Sequence, residues 1–394
     1  MKRYFSLSAI IVVMFMIILS TPLAISLFTQ DLEVSKSEKR KLVQFPELSF
    51  TVDGIKTFPG TFEKYYKDHF GLRSQIVRLH NYTLCKLFKV SPTGMVIVGS
   101  DNWYFFNANG SLGDYLGRFH FTDNRLKDFE SILLNRDAWL KKMGTHYIFL
   151  PIPNKETVYE EYLPRRIRKH KGVNKYTQVI EYLRSSGQFT NFIDTEALLL
   201  HLKQEQQVYL KTDSHWNNDG AFGVYQELIN QLSKKLPNLQ PLKQTSEKEW
   251  IEDFSGDLAI FMNLRGLVTE TAPAINVERE CKPSGMRRMT ELKETAAYKD
   301  VEPHRLPVTN GCKKKEYSAI VIHDSFGNFL RKYLSQNFRK IIYIHHMNFE
   351  DAKVLIAKEQ PDVVIDLRVA RNLEKALMPD PELEQMIANQ AENR

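Results

Sequence analysis

The sequence predicts an α/β domain, a central and mainly parallel sheet covered by helices on both faces in three layers, preceded by an apolar N-terminal segment. Three observations carry this. From Thr122 onward, stretches with apolar residues at three- and four-residue steps alternate with short β-favouring runs, the pattern of strand–helix–strand units. Three C-terminal runs, SAIVIH (318–323), KIIYIH (340–345) and DVVIDL (362–367), are largely apolar, as strands covered on both faces are. Finally, the first 28 residues hold an uncharged run long enough to cross a bilayer.

That run, residues 5–28, follows Lys2 and Arg3, a charge placement that keeps the N-terminus in the cytoplasm and sends the body to the far side. Segment 1–28 is therefore a transmembrane anchor or a signal peptide; the full run suits an anchor, and the small residues Ala24 and Ser26 suit a cleavage site. A polar tether (29–52) and a short helical region (53–95) follow. VIVGSDNWYFF (96–106) alternates like a strand, a turn at Asp101-Asn102, and a second strand.

The main domain is expected over 96–379. Thr122 or Asp123 caps a helix with apolar residues Leu126, Phe129, Leu133, Leu140 and Met143, stopped by Gly144. The strand Tyr147–Pro153 comes next, then a helix from Lys175 to Arg184 closed by Gly187, a strand at Phe192-Ile193, a helix from Glu196 to Lys203, and an extended piece from Val208 to Leu210. Residues 236–316 are polar and charge-mixed and read as an insertion. Helices at 329–334 and 349–358 separate the three C-terminal strands, and 380–394 is an acidic tail.

With 43% hydrophobic and 26% charged residues the 394-residue chain is too apolar for a disordered protein, and three cysteines are too few for a disulfide scaffold. The 54 basic and 47 acidic residues leave a net charge of +7 without a basic arm or a nucleic-acid motif, so no nucleic-acid partner is expected. The basic run Arg165–Lys171 reads as a solvated surface stretch before it reads as a patch that attracts an acidic glycan or anionic lipid heads. Cys281 and Cys312 bracket one insert-like segment and are the expected disulfide; Cys85, in an apolar stretch, is the odd buried thiol. No CxxC motif or His cluster supports a metal, and His345-His346 sit side by side on an extended chain, pointing to opposite faces.

Two segments place reactive groups at the ends of predicted strands, where open α/β sheets bind their ligands. Ser325, in His323-Asp324-Ser325-Phe326-Gly327, sits at a strand-to-helix turn that exposes its hydroxyl. A serine needs a base, and His215 in Asp213-Ser214-His215-Trp216 can supply one, with Asp213 to orient the ring. Each segment also fits a plain helix cap.

Together the two segments resemble the alginate O-acetyltransferase family of the AlgJ and AlgX type, whose catalytic domain is similar to SGNH hydrolases with the sequence blocks permuted. Here Asp-x-His-Trp precedes Asp-Ser-Phe-Gly by about a hundred residues, the reverse of the ordinary SGNH order. Further likenesses lie in SEKRKLVQFPEL, FEKYYKDHFGLRSQIVRLHN, VIVGSDNWYFF, PIPNKETVYEEYLP and SGDLAIFMNL, so the resemblance runs from about residue 36 to 372. Two positions depart from it: Ser214 stands where relatives often have His, and His323 where the SGNH block has Gly.

The resemblance implies Ser325 as nucleophile, His215 as base and Asp213 as its orienter, in an SGNH-like fold without cofactor or metal. Asn154 and Arg371 are the nominated oxyanion donors beside the Ser325 N–H. It further implies acetyl transfer to an exported polysaccharide on the periplasmic side of a bacterial inner membrane, with acetyl supplied by a membrane-bound O-acyltransferase. The same triad would serve a carbohydrate esterase, and the fold without the chemistry would serve a glycan-binding or assembly protein.

Overall fold

A computed structural model describes residues 6–26, 33–35, 40–245, 248–278, 281–295, 298–345 and 349–377. The acidic tail, His346 and part of the tether fall outside the described residues. Two compact units make up the chain: residues 1–93 with 260–267, and residues 94–259 with 268–394.

In the first unit, helix α1 (Leu7–Ser26) has 20 residues and no charge, and at 1.5 Å per residue reaches about 30 Å, enough to cross a bilayer core. Its side chains are mostly exposed, which suits lipid rather than a protein core. Helices α2 (Val52–His69) and α3 (Arg73–Lys86) form the expected helical region, and Thr51 starts α2 by accepting the Gly54 N–H at 3.0 Å. Cys85 is buried in α3 and forms no disulfide.

The second unit opens with a hairpin, β1 (Val96–Val98) and β2 (Tyr104–Phe106), turned at Asp101 and Asn102. Both residues have positive φ, 51° and 62°, which Asp and Asn tolerate better than most. Helix α4 (Asp123–Lys142) is capped by Thr122, whose hydroxyl accepts the Arg125 N–H. Strand β3 (His146–Ile152) leads to helix α5 (Lys175–Ser186), which Gly187 ends at φ 63°, and to helix α6 (Thr195–Leu202). Helix α7 (Asn218–Ser233), not foreseen in the sequence, follows. Next come the paired strands β4 (Glu249–Phe254) and β5 (Glu270–Ala274), then β6 (Arg287–Arg288), β7 (Val308–Asn310) and β8 (Ser318–His323). Helix α8 (Arg331–Asn337), strand β9 (Lys340–His345), helix α9 (Phe349–Glu359) and strand β10 (Val363–Val369) complete the unit.

The six-stranded sheet runs β3-β10-β8-β9-β7-β6. Its first four strands are parallel, and β7 and β6 add an antiparallel edge. Alternate residues of the strands divide between two cores. Leu150, Val321, Tyr343 and Ile365 pack with Val224, Leu228 and Ile229 of α7. Phe149, Ile322, Ile344 and Val364 pack with Phe129 and Leu133 of α4 and Leu355 of α9. Helices thus cover both faces, and the sheet is buried as a parallel sheet must be.

Two expectations need correction. Phe192-Ile193 is no full strand: a single parallel bridge joins Phe192 to Phe149, because Asp194 at once caps α6 through the Ala197 N–H. Residues 329–334 are not one helix, since a 3-10 turn (Ser325–Leu330) precedes α8. Within segment 236–316, Leu236, Leu239 and Leu242 enter the core, and β6 and β7 extend the central sheet.

Candidate active site

Strands β3, β10 and β8 end side by side, with His323 in register with Leu367, and Val369 with Ile152. The segments that leave these ends carry Asn154, Arg371 and Ser325. Asp324 ties the Ser325 turn down: its carboxylate accepts the N–H of Phe326 at 3.1 Å, the N–H of Val369 at 2.8 Å and the Asn372 amide at 3.2 Å. Asp324 is thus held by the turn and the neighbouring strand, while Ser325 takes the first helical position, where its N–H has no intrahelical acceptor.

His323 fits where the resemblance suggested glycine because Gly327 makes room for it. A Cβ at Gly327 would lie 2.5 Å from the imidazole. The ring has no exposed surface, Nδ1 donates to the Asp324 carbonyl, and Nε2 accepts from Arg331 at 3.1 Å. Burial first, and the Arg331 charge second, push its pKa well below the usual histidine value.

The second loop is a tight one. Tyr209 bridges to Trp216 in antiparallel fashion, the Leu210 N–H donates to the His215 carbonyl at 3.2 Å, and Asn217 then caps α7 through the Gly220 N–H. Trp216 is fully buried and its indole N–H donates to the Phe326 carbonyl at 3.2 Å, joining this loop to the Ser325 turn. His215 is thereby brought to Ser325 across 110 residues of sequence: Nε2 lies 2.7 Å from Ser325 Oγ. On its other side Nδ1 lies 2.6 Å from Asp213 Oδ1. With Nδ1–H donating to the carboxylate, Nε2 is left to accept the serine hydroxyl proton. Burial opposes the Asp213 charge, but the bond and charge of His215, with backbone N–H donors from Asp257 and His215, outweigh it and hold this carboxyl below its ordinary range. The His215 side chain keeps 15% of its surface exposed, so a small acyl donor can reach it.

Asn154 and Arg371 meet each other. The Asn154 amide donates to Asp114 at 3.2 Å, and its carbonyl accepts from Arg371 at 3.3 Å. The Arg371 guanidinium lies over the Phe326 ring at 5.4 Å, next to Ser325 in sequence. Cys281 and Cys312 are joined as a disulfide with Cα atoms 6.3 Å apart. The side chains of Arg165, Arg166, Arg168, Lys169 and Lys171 are exposed, and the His345 ring packs 5.2 Å from His323.

Two residues around the loop were not singled out from the sequence. Lys155, buried beneath it, donates from Nζ to the carbonyls of Tyr104, Lys211 and Asp213 at 2.5, 3.0 and 2.9 Å. Burial lowers its pKa to about 8 against the pull of Glu270 and Asp213. Asp257 bonds to Ser214 and lies 3.7 Å from His215 Nδ1. The available signals were weak: a Lys directly after Asn154 at a strand end, and an Asp after the glycine of SGDL.

Asp213, His215 and Asp257 bring three ligand atoms within 4.8 Å of one another, the spacing of a cation site. Their oxygens are already engaged, however. Both Asp213 oxygens and Asp257 Oδ1 accept backbone N–H groups, and Asp257 Oδ2 accepts the Ser214 hydroxyl. The donor set therefore fits a hydrogen-bonded relay better than a metal.

The family described as "SGNH hydrolase-like domain, acetyltransferase AlgX" matches residues 96–298, about half of the chain. The probable alginate O-acetylase AlgJ of Pseudomonas syringae pv. tomato is 27% identical over 218 residues, 54% of this chain and 52% of that protein. The chain spans about half the length of the curated relatives it matches. Among solved structures, the O-acetyltransferase domain of Pseudomonas putida AlgJ aligns with a TM-score of 0.47 and 19% identity, over 76% of this chain and 99% of that one. Bacillus cereus PatB1 aligns with a TM-score of 0.48 and 16% identity, over 71% and 97%.

Proposed function

The chain belongs to the family of SGNH hydrolase-like acetyltransferase domains of the AlgX type, and from that premise we propose that it transfers acetyl groups to hydroxyls of an exported polysaccharide. The observation that carries this reading is the single line of hydrogen bonds from Asp213 through His215 to Ser325, at the carboxyl edge of the parallel sheet. Two half-reactions follow from it. In the first, His215 Nε2 takes the Ser325 proton as Oγ bonds to the acetyl carbonyl carbon. The donor's leaving group then departs with that proton, leaving acetyl-Ser325. In the second, a sugar hydroxyl gives its proton to Nε2 and attacks the ester carbonyl. Collapse returns the proton to Ser325 and releases the acetylated sugar. Asp213 stabilises the imidazolium that forms in each half.

The named relatives support an alginate-like acceptor, a polyuronate with free hydroxyls. The uncharged 20-residue α1 supports action at the periplasmic face of a membrane. There acetyl-CoA is absent, so a membrane-bound O-acyltransferase is the proposed acetyl supplier. The test supplies an activated acetyl ester and an unacetylated oligouronate to the purified chain. Acetylated oligosaccharide, lost on Ser325→Ala, is the expected product. Release of free acetate alone, with no sugar ester, would make the protein an esterase, and binding of glycan with neither product would make it a glycan-binding protein.

A further inference from the structure

The loop that presents His215 is gripped from outside by one short segment, residues 256–259. The Gly256 N–H donates to Thr212 Oγ1 at 3.0 Å, and the N–H groups of Leu258 and Ala259 donate to the Thr212 carbonyl at 3.1 and 3.3 Å. Gly256 permits this approach: a Cβ there would lie 2.4 Å from Asp213 Cβ and 2.5 Å from the Thr212 carbonyl oxygen. Asp257 is the segment's charged member, and its contacts are reciprocal. Its N–H donates to Asp213 Oδ2 at 2.9 Å, while its carboxylate accepts the Ser214 N–H at 2.7 Å and the Ser214 hydroxyl at 2.6 Å. Oδ2 stands 3.7 Å from His215 Nδ1, too long for a hydrogen bond yet within the range of strong charge coupling.

We propose that Asp257 is a positioning residue of this site, which locks Asp213 and Ser214 on either side of it and sets a second negative charge against the Nδ1 edge of His215. The inference rests on the reading of Asp213, His215 and Ser325 as the acyl-transfer triad. Two consequences follow. The Nδ1 edge of the ring faces two carboxylates, so the proton stays on Nδ1 and Nε2 stays open to Ser325. The second carboxylate also favours the imidazolium formed as Ser325 loses its proton, a stabilisation greater in the transition state than at rest. Burial first, and the Asp213 charge second, raise the Asp257 pKa, so this charge is best tolerated when His215 carries its proton. The charged groups that act on it are Asp213 and His215 on the loop and Lys155 beneath the loop, while Glu270 on β5 acts on Lys155 and holds the Lys211 and Thr212 N–H groups.

The full chain in detergent, assayed for hydrolysis of p-nitrophenyl acetate between about pH 5 and 9, tests this. Asp257→Asn keeps an acceptor for Ser214 and removes the charge. Its expected effects are a kcat lower by roughly tenfold or more with KM within about twofold, a melting temperature within a few degrees of the parent, and an acid limb of the rate profile moved to lower pH. A merely structural role would not move that limb, and Asp257→Glu should restore it. Should Asp257→Asn fail to fold, Ser214→Ala decides. Loss of its hydroxyl bond to Asp257 should lower kcat by about threefold or more, and a parental kcat would overturn the proposal. Parental kcat and parental acid limb in Asp257→Asn, beside an inactive Ser325→Ala, would likewise overturn the role of Asp257 alone. Activity retained in Ser325→Ala would instead defeat the reading of the triad.

Discussion

His323 shows how one buried side chain beside the site makes folding depend on pH. Its ring is held neutral by burial and by Arg331, with the folded-state pKa well below that of the unfolded chain. The sign follows: below about pH 6.5 the unfolded chain takes up a proton that the folded chain does not, so stability falls as pH falls, until the folded-state value is reached. Thermal melts should therefore show a loss of roughly 1.4 kcal/mol per pH unit below about 6.5, and His323→Gln should remove most of that slope. An unchanged slope in the variant would place the titration elsewhere. At this scale Asp213, His215 and Ser325 could be singled out because each is a reactive residue beside an apolar run. Their roles as a set came from the family resemblance, since each segment alone also fits a helix cap. Lys155 and Asp257 were not singled out, since their roles consist of bonds to carbonyls and amides about 40 to 60 residues away.

The elements that build the site differ in how openly their sequences declare them. Strands 318–323 and 340–345 run to the residue as read, because apolar runs bounded by polar residues permit few alternatives. The stop at Gly187 was equally plain, and of the two caps the sequence offered, Thr122 and Asp123, the structure uses Thr122. Helix α7 was hidden by Gly220 and Gly223, which weaken a helical pattern. The structure gives their reason: a Cβ at Gly220 would lie 2.4 Å from the Val208 carbonyl, and one at Gly223 would lie 2.3 Å from Leu202. These glycines let α7 pack tightly on the chain just before the His215 loop. That loop hangs on Lys155, a fully buried cation serving three carbonyls. Lys155→Met should cost about 3 kcal/mol or more in denaturant unfolding, since it strands those acceptors. It should also lower kcat/KM by at least about tenfold, because the Asp213 carbonyl loses its anchor. Parental stability would contradict that account of the loop.

For the whole molecule, the uncharged N-terminal run and the α/β body were readable from hydropathy and alternation alone. The place of residues 236–316 was not, because short edge strands such as Arg287–Arg288 and Val308–Asn310 carry no apolar pattern and are recruited by neighbours already in the sheet. The disulfide Cys281–Cys312 closes a separation of 31 residues within that segment. Replacing both cysteines by alanine should lower stability by about 2–4 kcal/mol, measured by denaturant unfolding, with little change in kcat. Helix α1 should hold the chain in the membrane fraction against high salt, and deletion of residues 1–26 should release it. A full-length chain washed off by salt would contradict that. The central claim is that Ser325 carries acetyl between donor and sugar. The most direct measurement is intact and peptide mass spectrometry after brief incubation with an activated acetyl ester. A single added acetyl on Ser325, absent in Ser325→Ala, strongly reduced in His215→Ala and discharged by an oligouronate acceptor, is the predicted result. Undiminished turnover with Ser325 unmodified, or with Ser325→Ala in place of the parent, would contradict it.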